Sequence, residues 1–106
     1  MLDRKVAIEK VDNFIKEIKL SGLHIKKAIL FGSYAKGNQH EYSDIDVALA
    51  ADEFIGFGFI DRDYFAEINI KDEYMLIETK TYPTGYFEKG DPFIDEIKKT
   101  GIEIKI

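Results

Sequence analysis

The stretch ILFGSYAKGNQHEYSDIDVALA, residues 29–50, contains two apolar runs separated by a polar segment. The first run ends at Gly32 and Ser33, and the second begins with Asp44 and Asp46, one residue apart. Small or acidic residues alternate with Ile, Val and Leu in the second run, which predicts a β-strand. The first run is also β-prone, so we expect two strands joined by a short helical turn or loop.

The rest of the chain predicts helices and further strands around this pair. Apolar residues at helical spacing up to Gly22 predict an amphipathic first helix. EYMLIETKTYP, residues 73–83, predicts a third strand that includes Tyr74 and Leu76. DPFIDEIKKTG, residues 91–101, predicts a helix capped by Asp91, and the closing IEIKI predicts a short edge strand. Residues 51–73 predict an irregular loop with one or two helical turns.

This order of elements predicts an α+β fold, with α/β layers in which helices flank a small mixed β-sheet. With 106 residues, the chain is expected to form one domain over residues 1–106. The 15 basic residues are outnumbered by 20 acidic ones, which argues against an extended nucleic-acid surface. The charged N-terminus and the absence of a long apolar run or any cysteine favour a soluble cytoplasmic protein with no membrane contact.

Asp44 and Asp46 are the first candidate site residues. Side chains two residues apart on a strand share a face, and their Cα atoms lie roughly 7 Å apart. Two carboxylates at that spacing repel each other unless a cation lies between them. Mg²⁺ prefers oxygen ligands and is commonly held by one or two carboxylates together with substrate phosphates. The pair therefore suits a metal bound jointly with a nucleotide, whereas the alternative is a solvated strand edge.

Gly32 and Ser33 predict an anion site at the end of the preceding strand. A helical turn beginning at Ser33 would direct its free backbone N–H groups towards the space between the strand ends. Glycine permits close approach of the backbone to a phosphate, and the serine hydroxyl adds a donor. A Gly-Ser pair alone most often marks a simple turn. Its combination with Asp44 and Asp46 on the next strand indicates a nucleotide site.

The GSYAKG segment is followed by SDIDVALA, so that ten residues separate Gly32-Ser33 from Asp44-x-Asp46. This spacing resembles the signature of the minimal nucleotidyltransferases. These belong to the superfamily of DNA polymerase β and kanamycin nucleotidyltransferase. The resemblance implies two Mg²⁺ ions, with Mn²⁺ as the alternative, and transfer of a nucleoside monophosphate from a nucleoside triphosphate to an acceptor hydroxyl. It also implies that Gly32 and Ser33 hold the triphosphate and that Asp44 and Asp46 ligate the metals.

The same resemblance implies a third carboxylate on another strand, and Glu78 is our prediction. Glu78 interrupts an apolar run, although glutamate at this position has a longer side chain than aspartate. The alternative is a surface residue that pairs with Lys80 across solvent. Four other acidic residues are alternatives for the third carboxylate, but they fall in helical or turn-like sequence where an exposed carboxylate needs no special explanation, namely Asp61, Asp63, Glu67 and Asp72.

Lys36 is a candidate triphosphate contact because the family often has a basic residue near the Gly-Ser turn. Small members of the family commonly pair with a helical HEPN-type protein in toxin–antitoxin modules, which implies such a partner here. An aromatic cluster is predicted as core first and as a partner-facing patch second, and comprises Phe54, Phe57, Phe59 and Phe65. Two alternatives to an enzyme remain open: a non-catalytic nucleotide-binding or partner-binding antitoxin module, and an unrelated magnesium-binding or phosphate-binding domain. A homo-oligomer is compatible with the sequence.

Overall fold

The structure, a computed structural model, describes residues 2–106. In chain order the helices and strands are α1 (Arg4–Leu20), β1 (Ile25–Phe31), α2 (Ser33–Lys36), β2 (Ile45–Ala51), α3 (Gly58–Asp61), α4 (Ala66–Asn69), β3 (Ile77–Pro83), α5 (Thr84–Lys89), α6 (Pro92–Thr100) and β4 (Ile102–Glu103). Single 3₁₀ turns at Arg62–Tyr64 and Asp72–Tyr74 flank α4. Within the described residues, no helix is both long enough and apolar enough to span a bilayer.

The four strands form one mixed sheet in the order β3-β2-β1-β4. β1 is antiparallel to both β2 and β4, while β2 and β3 are parallel. Parallel strands require a long crossover, which the chain between β2 and β3 supplies. Because β1 is antiparallel to β2, the end of β1 lies beside the starts of β2 and β3. The expected α+β fold with a mixed sheet is confirmed.

One face of the sheet packs against α1 and the crossover segment. Asp3 caps the start of α1, and its carboxylate accepts a hydrogen bond from the N–H of Val6 at 2.9 Å. Phe14 is fully buried and packs edge-to-face against Phe65, with 5.9 Å between ring centroids. Truncating such a buried aromatic side chain typically costs about 3–5 kcal/mol. The sheet contributes the apolar positions of β2 to this core, which are Ile45, Val47 and Leu49.

The opposite face of the sheet packs against α5 and α6. Its core is smaller and combines two alanines of β2 with larger side chains from β1 and both helices, namely Ile29, Ala48, Ala50, Phe87, Ile94 and Ile97. Asp91 caps α6 by accepting a hydrogen bond from Ile94 N–H at 2.7 Å, as the sequence predicts. Because side chains alternate along β2, Asp46 projects to this second face together with the alanines.

The structure corrects three of the expectations from sequence. β3 begins at Ile77 rather than before Tyr74, because Tyr74 ends a 3₁₀ turn and is buried in the α1 core. Its hydroxyl donates a hydrogen bond to Glu17 on α1. A short helix, α5, follows Pro83 where no helix was predicted.

The third correction concerns Asp61, which is fully buried although turn-like sequence suggested an exposed carboxylate. It accepts hydrogen bonds from the N–H groups of Ile55 and Gly56 at 3.0 and 2.9 Å, and from the Thr81 hydroxyl at 2.8 Å. Asp61 therefore links the start of the crossover to β3. These hydrogen bonds satisfy the Asp61 carboxylate oxygens although the residue is buried.

Candidate active site

The candidate site lies where β1 ends and β2 and β3 begin. Asp46 is opposite Phe31 in the antiparallel register of β1 and β2, and opposite Glu78 in the parallel register of β2 and β3. Neighbouring strands are about 4.8 Å apart, and paired residues project to the same face. The sheet therefore places Phe31, Asp46 and Glu78 in one row, with Asp44 immediately before β2.

Gly32 brings the end of β1 into contact with Asp46. Its backbone has φ +74° and ψ −150°, a combination open essentially only to glycine. A Cβ atom at this position would overlap Oδ2 of Asp46 and would lie 3.2 Å from its Cγ. The missing side chain therefore makes room for the Asp46 carboxylate, and the predicted anion turn and the predicted metal ligand are in direct contact.

Ser33 begins α2 directly after Gly32. The helix is a single turn, and the N–H groups at its start have no partners inside the helix. Arg4 fixes the opposite end, since Nε donates to the carbonyl of Tyr34 at 3.0 Å and Nη2 donates to that of Ala35 at 2.9 Å. Arg4 thereby satisfies helix-end carbonyls and anchors the turn to α1. The sequence offered no signal for this contact between residues 30 positions apart.

Burial raises the pKa of Asp46 above its ordinary value, and the negative charges of Asp44 and Glu78 raise it further. The positive charge of Lys80 acts in the opposite direction and lowers the pKa of Asp46. All three neighbours are therefore close enough to influence this carboxyl group. A cation at this site would relieve both the desolvation and the repulsion.

The carboxylates are neighbours without forming a ready-made coordination shell. Across residues 2–106, no three His, Cys, Asp or Glu side chains are arranged so that together they could hold an ion. Asp46 is half-buried, whereas Asp44 and Glu78 are exposed at the edge of the site. Such an open arrangement fits Mg²⁺ in one respect, because this ion usually keeps waters and takes substrate phosphates as further ligands.

Lys36 occupies the last position of α2, at the opposite end of the turn from Ser33, and its side chain is exposed. The structure gives its ammonium group no acidic partner among the described residues. Its role as a triphosphate contact stays a prediction.

Two residues near the carboxylates, Lys80 and Phe93, are not among the site residues that the sequence predicts. The ammonium of Lys80 lies 5.5 Å from the ring centroid of Phe93, at the start of α6. The Phe93 ring packs edge-to-face against Phe31, with centroids 6.0 Å apart. The alternation on β3 placed Lys80 on the face of Glu78, but the position of Phe93 depends on how α6 docks, which no local pattern reveals.

Comparison with known proteins identifies the family. Residues 9–105 match the family model described as "Polymerase beta, Nucleotidyltransferase". The chain belongs to the polymerase-β-type nucleotidyltransferase family. This match covers nearly all of the chain, including every residue of the candidate site, and the resemblance noted over residues 29–50 is confirmed.

Individual relatives agree with this family. A candidate protein adenylyltransferase from Methanocaldococcus jannaschii is 39% identical over 70 residues, which are 66% of this chain and 61% of that protein. This chain therefore spans less than two thirds of that relative's length.

Two solved structures share the fold. A candidate nucleotidyltransferase from Sulfolobus solfataricus aligns with a TM-score of 0.64 and 20% identity, over 94% of this chain and 80% of that one. A chain from a toxin–antitoxin structure with AMP-PNP aligns with a TM-score of 0.59 and 18% identity, over 89% of this chain and 72% of that one. At these identities the likeness establishes the fold of the nucleotidyltransferase domain.

Proposed function

We propose that this member of the family transfers a nucleoside monophosphate, with ATP as the donor, to an acceptor hydroxyl. The observation that carries the proposal is the contact of Gly32 with Asp46, which joins a candidate phosphate-binding turn to a candidate metal ligand. The name of the M. jannaschii relative supports adenylyl transfer in particular. The reaction forms a bond from the acceptor oxygen to the α-phosphorus and breaks the bond from that phosphorus to the bridging oxygen, releasing pyrophosphate.

Asp44, Asp46 and Glu78 are the residues that would hold Mg²⁺ or Mn²⁺ in this proposal. The raised pKa of Asp46 marks a carboxylate whose burial and neighbours favour a nearby cation. Two ions bound there would stabilise the charge on the attacking and leaving oxygens. Because the described side chains form no closed ligand set, phosphate oxygens of the nucleotide would complete the coordination.

The remaining roles belong to the chain's own groups. The Ser33 hydroxyl and the backbone N–H groups at the start of α2 would hold the triphosphate, with Lys36 as a further contact. Orientation of the α-phosphate in line with the acceptor is the main contribution expected of this turn. Glu78 would accept the proton that the acceptor hydroxyl loses, and its exposed position supports this role because the acceptor can reach it.

We propose a HEPN-type partner protein as the source of the acceptor. An apolar patch on the crossover segment supports a protein partner, since Phe57 and Phe59 are 64% and 77% exposed and Ile55 is 62% exposed. Phe54 and Phe65 of the same aromatic cluster are buried in the core, so only part of the cluster faces outward. The toxin–antitoxin context of one structural neighbour supports the same kind of partner. We propose the cytoplasm as the location of this protein, because ATP is available there as the donor.

The transfer proposal is tested by incubating the protein with α-³²P-ATP and Mg²⁺, with and without the product of the adjacent gene. We expect label on the partner or on another acceptor, and no label with Asp44→Asn plus Asp46→Asn. Label transferred equally by this double variant would refute the proposed site.

The apolar patch is tested with Phe57→Ser plus Phe59→Ser, which should abolish partner binding. Leu20→Ser, at an 88% exposed position on α1, is the control and should not affect partner binding.

A non-catalytic antitoxin module that binds nucleotide or partner is the second candidate function. The observation that favours it is that, within residues 2–106, no three His, Cys, Asp or Glu side chains are arranged to bind one metal ion. Nucleotide binding without transfer of label to any acceptor would support this module instead of the enzyme.

A further inference from the structure

Lys80 is the basic residue that the sheet itself brings beside the candidate carboxylates. It follows Glu78 by two residues on β3 and pairs with Ala48, as Glu78 pairs with Asp46. Side chains two residues apart on a strand share a face, so Lys80 lies on the face of Asp46 and Glu78.

Two aromatic residues, Phe93 and Phe31, form an aromatic wall beside the Lys80 side chain. The Lys80 ammonium lies 5.5 Å from the Phe93 ring centroid, within the range of a cation–π contact. Phe93 in turn packs edge-to-face on Phe31, which is the register partner of Asp46 on β1. The aromatic wall therefore extends from the row of site residues to the ammonium group, and Phe93 is 49% exposed.

The negative charge of the candidate site is a reason for a lysine beside the carboxylates. A nucleoside triphosphate is strongly negative and must approach a region that already contains Asp44, Asp46 and Glu78. A fixed ammonium group beside these carboxylates offsets part of that repulsion and donates hydrogen bonds to phosphate oxygens. Lys36 is exposed at the far end of α2, whereas Lys80 lies on the sheet face that carries Asp46.

We propose that Lys80, positioned by the ring of Phe93, contacts the phosphate chain of the nucleoside triphosphate. This inference rests on the proposed function, because it requires a nucleotide at the β2 carboxylates. Lys80 is then a substrate-binding residue, and Phe93 is a positioning residue that acts through Lys80. The contact involves hydrogen bonds and charge only.

The test is the dissociation constant of a fluorescent, non-hydrolysable ATP analogue in the presence of Mg²⁺. We expect Lys80→Met to weaken binding about tenfold, since hydrogen bonds to charged groups are among the strong ones. Lys80→Arg keeps the charge and should stay within about threefold of the wild type. Phe93→Leu should weaken binding about threefold, and Phe93→Tyr should bind as the wild type does.

Controls separate a role in binding from a role in folding. Lys26→Met removes another exposed strand lysine, whose ammonium is 3.9 Å from Asp52, and should leave the affinity unchanged. All variants should keep the unfolding midpoint of the wild type. The affinity of Lys80→Met should also depend less steeply on NaCl concentration, because one screened charge interaction is gone.

The outcomes distinguish a failure of this inference alone from a failure of the proposed function. If the wild type binds the analogue and Lys80→Met binds it equally well, the inference is overturned and the proposed function stands. An arginine variant as weak as the methionine variant would also overturn a role through charge. If the wild type does not bind the analogue at all, both proposals are overturned together.

Discussion

The carboxylate of Asp46 fills the volume in which any side chain at Gly32 would lie. The contact joins the end of β1 to β2, and it fixes the turn that carries Ser33 against the carboxylate. Because Gly32 also has φ +74°, substitution here combines backbone strain with a collision. Local geometry of this kind makes the site sensitive to a single methyl group.

Gly32→Ala should therefore weaken nucleotide binding, since the added Cβ must displace the Asp46 carboxylate. We expect a loss of at least tenfold in affinity and a cost in unfolding free energy of about 1–3 kcal/mol. Gly22→Ala is the matched control, because Gly22 has φ +104° but nothing within 4 Å of an added Cβ. It should show the strain in denaturant unfolding while nucleotide binding is retained. Equal binding losses in the two variants would contradict the account.

Asp46→Asn should make the folded protein more stable at neutral pH while abolishing transfer. The pKa of Asp46 is raised on folding, so the folded state holds the proton more tightly than the unfolded state. Stability then falls as the pH rises from the ordinary carboxyl pKa of 3.8 through the raised value, and the full penalty is present above it. The variant lacks this penalty.

Thermal unfolding from pH 3 to pH 7 measures this effect. The melting temperature of Asp46→Asn should exceed that of the wild type at pH 7, and the difference should shrink towards pH 3. The exposed residue Asp72 provides the control, since Asp72→Asn should not reproduce the trend. A wild type more stable than Asp46→Asn at pH 7 would be the contrary result.

Glu78→Gln should lower the rate of nucleotide transfer by about 10²–10⁴-fold if Glu78 accepts the proton of the acceptor. The shape of the side chain is kept, so folding should be unaffected. Glu103→Gln is the comparison, because Glu103 is also an exposed strand glutamate but pairs with Lys27 on β1 at 2.9 Å. Steady-state transfer with labelled ATP distinguishes the two, and matching rates would exclude Glu78 from the chemistry.

Asp61→Ala should destabilise the fold by about 3 kcal/mol, since it leaves two backbone N–H groups and the Thr81 hydroxyl without their acceptor. Asp63→Ala, at an exposed position two residues away, should change the unfolding free energy by less than about 0.5 kcal/mol. Urea titration of both variants measures the difference. A small effect at Asp61 would show that the crossover is held by other contacts.

The sequence predicted those parts of the fold that depend on local patterns. Alternation on β2 correctly separated Ile45 and its apolar companions from Asp46, and Asp91 correctly marked the start of α6. Burial of Asp61 was missed because its three hydrogen-bond donors lie on a loop and a strand that come together only in the folded chain. The sequence places the start of β3 too early, because Tyr74 looks like an apolar strand residue. Its ring packs in the core with α1, and Tyr74 does not pair in the sheet.

The same limit applies to the candidate site. Gly32, Ser33, Asp44 and Asp46 form a pattern with fixed spacing that sequence alone reveals. The row from Phe31 through Asp46 to Glu78 depends on strand order and register, and the Lys80–Phe93 contact depends on the docking of α6. Neither relationship leaves a periodic signal along the chain.

Electron paramagnetic resonance of Mn²⁺ tests most directly whether Asp44 and Asp46 hold a cation together with a nucleotide. Titration of the wild type with Mn²⁺ and a non-hydrolysable ATP analogue should remove more of the free-ion signal than the analogue removes by itself. Asp44→Asn plus Asp46→Asn should lose this additional binding. Equal retention of Mn²⁺ by the wild type and the double variant, or no additional retention by either, would contradict the central claim.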